Sequence, residues 1–349
     1  MERSTNNFLA IVTAWVAAAW SLCMAAPLLA QSDVVHLATG NDGRGRTILR
    51  GEILDYNGRE LTLQQANGRQ KLLPANRVIR IETQHTKEET AADEAFAQGR
   101  YDQAAALYEL ARNTDKRTWA RRRIVAQTVW SLKSLGQEAA AGEQFLILTK
   151  SDADTPFFDC IPLAWLPGVS GVELEQKARR WIEQDSQPVA MLLGASHLLL
   201  SSQGAAAANR LQHLSDHEDP RIAMLARAQL WRRQIASTNN KQLADWRNLL
   251  DRLPESLAAG PTYLLGRALI QQQQFEDGAL ELLRLPILYP RERPLGARAL
   301  LEAGRALERL DQMPEAARLY REAVANYPGD ASAGEARDLL QAMPGGKRE

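Results

Sequence analysis

The sequence predicts a mainly α-helical fold in which antiparallel helix pairs stack behind a small all-β module. Three observations carry this expectation. Residues 33–84 break into short strand-like pieces separated by Gly and Asn, whereas from about residue 88 to 342 Ala, Leu, Gln and Arg, all good helix formers, dominate. The last third then uses one spacing twice: Gly266, Phe275, Gly278, Leu282, Leu285, Pro290, and Gly304, Met313, Ala316, Tyr320, Ala323, Pro328. Such a period of about 34 residues describes two helices that touch through small residues, fill their seam with large ones and end at proline.

Residues 1–30 read as an export signal: Arg3 precedes an almost wholly apolar run from Phe8 to Ala30, with Pro27 near its end. Cleavage after Ala30 is the expected processing. The run is also long enough to span a bilayer, which leaves an uncleaved anchor as the alternative. Of the two cysteines, Cys23 and Cys160, only Cys160 remains after cleavage, so no intramolecular disulfide is expected. Without a neighbouring histidine, Cys160 reads as a small buried hydrophobe.

In residues 33–84 the pieces Val34–Leu37, Thr47–Tyr56, Glu60–Ala66, Arg69–Leu73 and Arg77–Glu82 predict five strands of a meander. Asn57-Gly58 and Asn67-Gly68 predict tight hairpin turns with positive φ angles. The layout is similar to an SH3-like or Sm-like fold, which implies a small closed barrel. Gly40 to Gly45 is read as a hairpin connection, since no lysine and helix follow it as in a phosphate loop.

Helical units follow over 88–155 and 172–342. The first carries Ala92, Gly99, Tyr101, Ala104, Tyr108 and Ala111 at the offsets of the two C-terminal units, and a second carries Val129, Gly136, Ala141, Phe145 and Leu148. In that second unit the slot filled by Tyr101, Phe275 or Met313 holds Glu138. Residues 156–171 break the pattern with Pro156, Pro162, Pro167, Gly168 and Gly171, yet Phe157, Phe158, Ile161, Leu163, Trp165 and Leu166 are too apolar for a linker, so the segment is expected to fold back onto the helices. Beyond it Ala195, Leu198, Ala207, Leu211 and Leu214 follow the repeat, and a degenerate unit from Pro220 to Pro254 places Trp231 and Trp246 between helices. Residues 343–349 form a loose tail.

On these residues the chain resembles a tetratricopeptide (TPR) protein of an exported bacterial type. The resemblance implies a right-handed α-solenoid of antiparallel helix pairs whose first helices line a concave groove, and recognition of a protein or peptide by polar and aromatic side chains there. It points to Thr262, Leu265, Arg267 and Leu269 in one unit and Leu300, Arg305 and Glu308 in the next. Any tryptophan of Trp119, Trp130, Trp165, Trp181, Trp231 and Trp246 left exposed in the groove is a further binding candidate.

No convergent catalytic set stands in the sequence. It has no Gly-x-Ser-x-Gly elbow, no His-Glu-x-x-His, no phosphate-loop Gly-Lys-Ser/Thr and no paired zinc cysteines. His213 and His217, four apart with Asp216 and Glu218 nearby, have metal-ligand spacing but fall where a helix should end, so an inter-helix turn is the expected reading. Lys plus Arg and Asp plus Glu both total 42, and no net field draws in nucleic acid. The local basic clusters, Arg117 with Arg121 to Arg123 and Arg291 with Arg293, are expected on solvated surface. The expected function is therefore a non-enzymatic scaffold or adaptor of the cell envelope with no cofactor, touching the membrane only through an uncleaved N-terminus. The alternatives are a structural spacer or homo-oligomer whose β module does the recognition, and an enzyme using Cys160 or the histidine pair.

Overall fold

The computed structural model describes residues 32–39, 45–168 and 170–343. The export signal of residues 1–30, most of the Gly40 to Gly45 connection and the tail from residue 344 lie outside the described residues. The chain divides into two compact units between His85 and Thr86.

In the first unit, β1 (Asp33–Thr39), β2 (Gly45–Tyr56), β3 (Glu60–Gln64), β4 (Gln70–Pro74) and β5 (Val78–Glu82) form one antiparallel sheet of order β4-β3-β2-β1-β5. Alternate residues Val35, Leu37, Leu61 and Leu63 turn inward with Ile53, Tyr56 and Leu73. β2 serves two neighbours in turn, pairing with β1 up to Gly51 and with β3 from Glu52. Gly51 sits at this handover because a side chain there would overlap the Gln64 carbonyl. Asp33, itself buried, accepts hydrogen bonds from the Ile53 amide (2.8 Å) and the Thr83 hydroxyl (2.5 Å), which fixes the start of β1.

The sheet is open, which corrects the closed-barrel expectation. β4 and β5 are its two edges, joined by a short 3₁₀ turn over Ala75–Arg77. Positive φ, which a tight reversal needs, does not occur between Pro74 and Val78. The chain therefore continues past β4 and delivers β5 to β1. The Asn-Gly expectation of two positive φ angles is met in half at one of two sites: Gly68 has φ 78°, whereas Asn67 does not have positive φ and its Oδ1 accepts the Arg69 amide (3.0 Å). At Asn57 the side-chain Oδ1 accepts the amides of Arg59 (2.9 Å) and Glu60 (3.1 Å), an Asx-type turn in place of a positive-φ pair.

The second unit is helical. Among the described residues its helices are α1 (Lys87–Ala97), α2 (Tyr101–Thr114), α3 (Thr118–Ser134), α4 (Glu138–Ser151), α5 (Val172–Ile182), α6 (Pro188–Leu198), α7 (Gly204–Leu214), α8 (Pro220–Trp231), α9 (Asn240–Leu250), α10 (Ala259–Gln271), α11 (Phe275–Leu288), α12 (Arg293–Glu308), α13 (Met313–Asn326) and α14 (Ala331–Ala342). Thr86 opens α1 by accepting the Glu89 amide (3.1 Å), and Asp330 opens α14 through the Ser332 amide (2.7 Å).

The repeat spacing corresponds to real contacts. A methyl on Gly266 would lie 2.8 Å from Leu282 Cγ, and one on Gly278 would lie 2.9 Å from the Gly266 carbonyl, so α10 and α11 approach through their glycines. Gly304 likewise receives the Tyr320 ring. Seven positions after each small residue, the chain leaves the first helix through a left-handed residue: Gly99 (φ 74°), Gly136 (69°), Gln273 (62°) and Asp311 (58°). Glycine adopts this conformation without a Cβ penalty. Asp311→Gly should therefore raise stability by about 0.5–1 kcal/mol in thermal or urea unfolding.

Contacts distant in sequence bring the first helices of this unit against its last. Lys133 of α3 pairs with Glu292 at 2.8 Å. Arg291 bonds Gln127 and lies over the rings of Trp130 (4.7 Å) and Phe96 (5.8 Å). Arg293 donates to the Asn326 carbonyl (2.6 Å) between Tyr327 (4.8 Å) and Tyr101 (5.7 Å). Arg291 is exposed as expected and Arg293 is half-buried, and both also stitch together helices that sequence order keeps apart.

All six tryptophans named above are buried, so none stands exposed as a groove anchor. Trp231 and Trp246 stack at 4.4 Å between their helices. Arg117 pairs with Asp115 (2.7 Å), and Arg123 pairs with Glu89 (2.5 Å) while lying near Trp119 (6.0 Å).

Candidate binding sites on the helical unit

The proline-rich segment folds back as expected, and its place decides what remains for binding. Residues 153–167 run as an irregular strap across α3, α6, α8 and α10, the first helices of successive pairs. Prolines remove strap amide donors and glycines weaken helix, so its main chain depends on side chains from the helices. The Ala164 amide donates to Ser196 Oγ (2.8 Å) and its carbonyl accepts from Gln229 Nε2 (3.0 Å). His197 Nε2 lies 2.9 Å from the Pro162 carbonyl, and Lys133 Nζ lies 3.5 Å from that of Ile161. Arg221 donates to the carbonyls of Ala153 (3.1 Å), Asp154 (3.2 Å) and Thr155 (3.3 Å) and covers the Phe158 ring at 4.2 Å.

Strap side chains fill what the helices leave open. Phe158, Cys160, Ile161, Leu163 and Trp165 are all buried. Phe158 meets Phe145 edge to face at 5.5 Å, and the Trp165 indole lies so close to Gly260 that any side chain there would overlap it. Burial pushes the Cys160 thiol well above its usual pKa, which suits the packing role and opposes nucleophilic chemistry. Burial also holds His197 neutral, its pKa lowered to about 4. The surface expected to capture an extended segment is, over these four helices, filled by an extended segment of the same chain.

Two cavities border the filled region. One, of about 460 Å³, lies beyond the strap between α10 and α12 and is lined by Arg267, Gln271, Gln273, Glu302, Arg305 and Arg309, with Ile235 and Phe275 at its apolar side. Glu302 organises it by accepting from Arg298 (2.7 Å), Arg267 (3.3 Å) and the Tyr263 hydroxyl (3.0 Å). Glu335 of α14 bridges Arg298 (3.3 Å) and Arg305. Arginine charge outnumbers carboxylate on the lining, so the cavity favours an anion.

The second cavity, of about 300 Å³, opens where α3, α4, the strap and the start of α12 meet. Lys133, Glu138, Glu292 and His197 line it with Leu163, Trp165, Leu174 and Leu295. Burial pushes the Glu138 carboxyl up to about 7, with Lys133 opposing and Glu292 adding to the rise.

No protein-family model matches the chain, and no curated protein does.

Arg267 and Arg305, named from the repeat pattern, come together on the first cavity, while Glu308 is not part of its lining. Thr262, Leu265, Leu269 and Leu300 are at most 1 % exposed and belong to the helical core. Their residue types on a first helix do not distinguish its groove face from the face packed on the next helix. Glu302 and Arg309 were missed, although both lie on the helical face of Arg305, three and four residues away. His213 and His217 do not share a ligand arrangement: His217 Nδ1 accepts the Asp219 amide (3.0 Å), and Asp219 caps α8 through the Arg221 amide (2.8 Å). The expected inter-helix turn describes His217, whereas His213 lies in the last turn of α7.

Proposed function

We propose that the chain is a non-catalytic interaction scaffold of the cell envelope, a TPR-like right-handed solenoid that captures an acidic protein segment at the C-terminal part of its inner face. The arginine-lined cavity between α10 and α12 carries this reading. It lies on first-helix surface that the strap leaves uncovered, and its charge exceeds what Glu302 and Glu335 neutralise. The glycine contacts at Gly266, Gly278 and Gly304 support the helical-repeat assignment, and the signal-like residues 1–30 support export.

The test is a cross-linked pull-down from the native cell, combined with fractionation. Arg305→Glu with Arg309→Glu should lower recovery of the principal partner at least about tenfold, as expected for reversing paired charges at an interface. Unchanged recovery with the fold intact would remove the cavity from the account. The β module offers a second reading, since Ile48, Leu54, Leu72 and Ile79 are exposed on its sheet. Deleting residues 33–84 separates the two: recovery survives if the helical cavity binds and vanishes if the sheet does.

A further inference from the structure

We propose that the cavity bounded by Glu138, Glu292 and Lys133 binds the organic cation of a ligand, a primary ammonium or guanidinium group on a short apolar stem. The charges on its wall are unevenly committed. Lys133 Nζ is occupied by Glu292 (2.8 Å), the Ile161 carbonyl (3.5 Å) and the face of Trp130 (4.0 Å). Glu138 Oε2 is buried and has no hydrogen-bond partner among the described residues. A buried carboxylate oxygen without a donor is costly, and a cationic donor entering the cavity relieves that cost.

The repeat itself marks Glu138 as the exception. The same slot, first in the second helix of a pair, holds Tyr101, Phe275 and Met313 in the sister units. An apolar residue would close the cavity against the strap, whereas Glu138 places an acid at its wall. The helix N-terminus favours a carboxylate at this position, but a solvated one would serve the dipole equally well. Leu163, Trp165, Leu174 and Leu295 supply apolar walls for a stem, and Trp165 offers an indole to a cation. A divalent metal fits poorly, because it needs several oxygen ligands and the second carboxylate is engaged by Lys133. The remaining titratable group on the wall, His197, is neutral and turned to the Pro162 carbonyl.

The experiment is calorimetric titration of the chain at pH 8 with n-butylammonium, Nα-acetyl-lysine N-methylamide and, as the uncharged control, n-butanol. Saturable binding of at least one cation, none of butanol, and at least tenfold weaker binding by Glu138→Gln are expected. Stronger binding of the blocked lysine assigns the site to a side chain of a protein partner, and stronger binding of n-butylammonium to a free amine. A second readout needs no variant: wild-type affinity should fall as pH drops below about 7, where Glu138 takes up a proton. No cation binding, equal binding of butanol, or an affinity indifferent to both Glu138→Gln and pH would overturn the proposal.

Discussion

Gly260→Ala should destabilise the helical unit by about 3 kcal/mol in urea unfolding, the upper part of the range for overpacking a close-fitting core. The new methyl would overlap the Trp165 indole. Retreat of that ring is resisted through its main chain, because the preceding residue is bonded on both sides, by Ser196 and Gln229. Trp165→Ala should cost about 3–5 kcal/mol by emptying the same space. The two changes should not add. Trp165→Leu vacates enough volume that Gly260→Ala on this background costs at least about 1 kcal/mol less than on the wild type, a coupling typical of residues in contact. Additivity would mean that the indole and α10 do not share this space.

Acid should unfold the protein partly through His197. Its folded pKa is lowered from 6.5 to about 4 by burial, so the folded state refuses a proton that the unfolded chain accepts. The corresponding stability is present above pH 6.5 and is lost as pH falls through about 4. The gap is worth about 3 kcal/mol. Glu138 runs the other way: its pKa is raised from 4.5 to about 7, so its contribution is present below pH 4.5 and fades as pH rises through about 7. The two partly mask each other in the raw profile. Comparison with His197→Gln isolates the histidine, since glutamine can still donate to the Pro162 carbonyl. Relative to wild type, the variant should gain about 3 kcal/mol between pH 7 and pH 4, whereas parallel curves would show that His197 does not titrate differently on unfolding.

Local contacts were the legible part of this chain. The spacing at Gly266, Gly278 and Gly304 reports helix approach within one pair, where a missing Cβ leaves a mark in the sequence. The strand segments of the β module were legible for the same reason, through alternation at Leu61 and Leu63. Closure of the sheet was not legible, because it depends on whether the backbone reverses after Pro74, where strand alternation gives no signal.

The apolar composition of residues 156–171 showed that they pack, but not where. Their main-chain partners Ser196, His197 and Gln229 lie far along the chain and are ordinary helix residues by pattern. The strap covers a further face of the first helices it crosses, while Leu265 and Leu269, which repeat logic offers to a partner, belong to the helical core. The stitches by Arg291 and Arg293 escaped notice because a cation over a distant ring has no sequence period. Glu138 was visible as a break in the repeat, and only the cavity beside it gives the break a chemical meaning.

Hydrogen exchange of the strap amides tests most directly whether the surface of α3, α6, α8 and α10 is filled by the chain itself. If the strap occupies that surface, peptides covering residues 158–166 exchange only as slowly as α6 and α8, through opening of the whole unit. Exchange of these amides at the rate of an open loop, while α6 and α8 stay protected, would contradict the account and return the groove to an external partner.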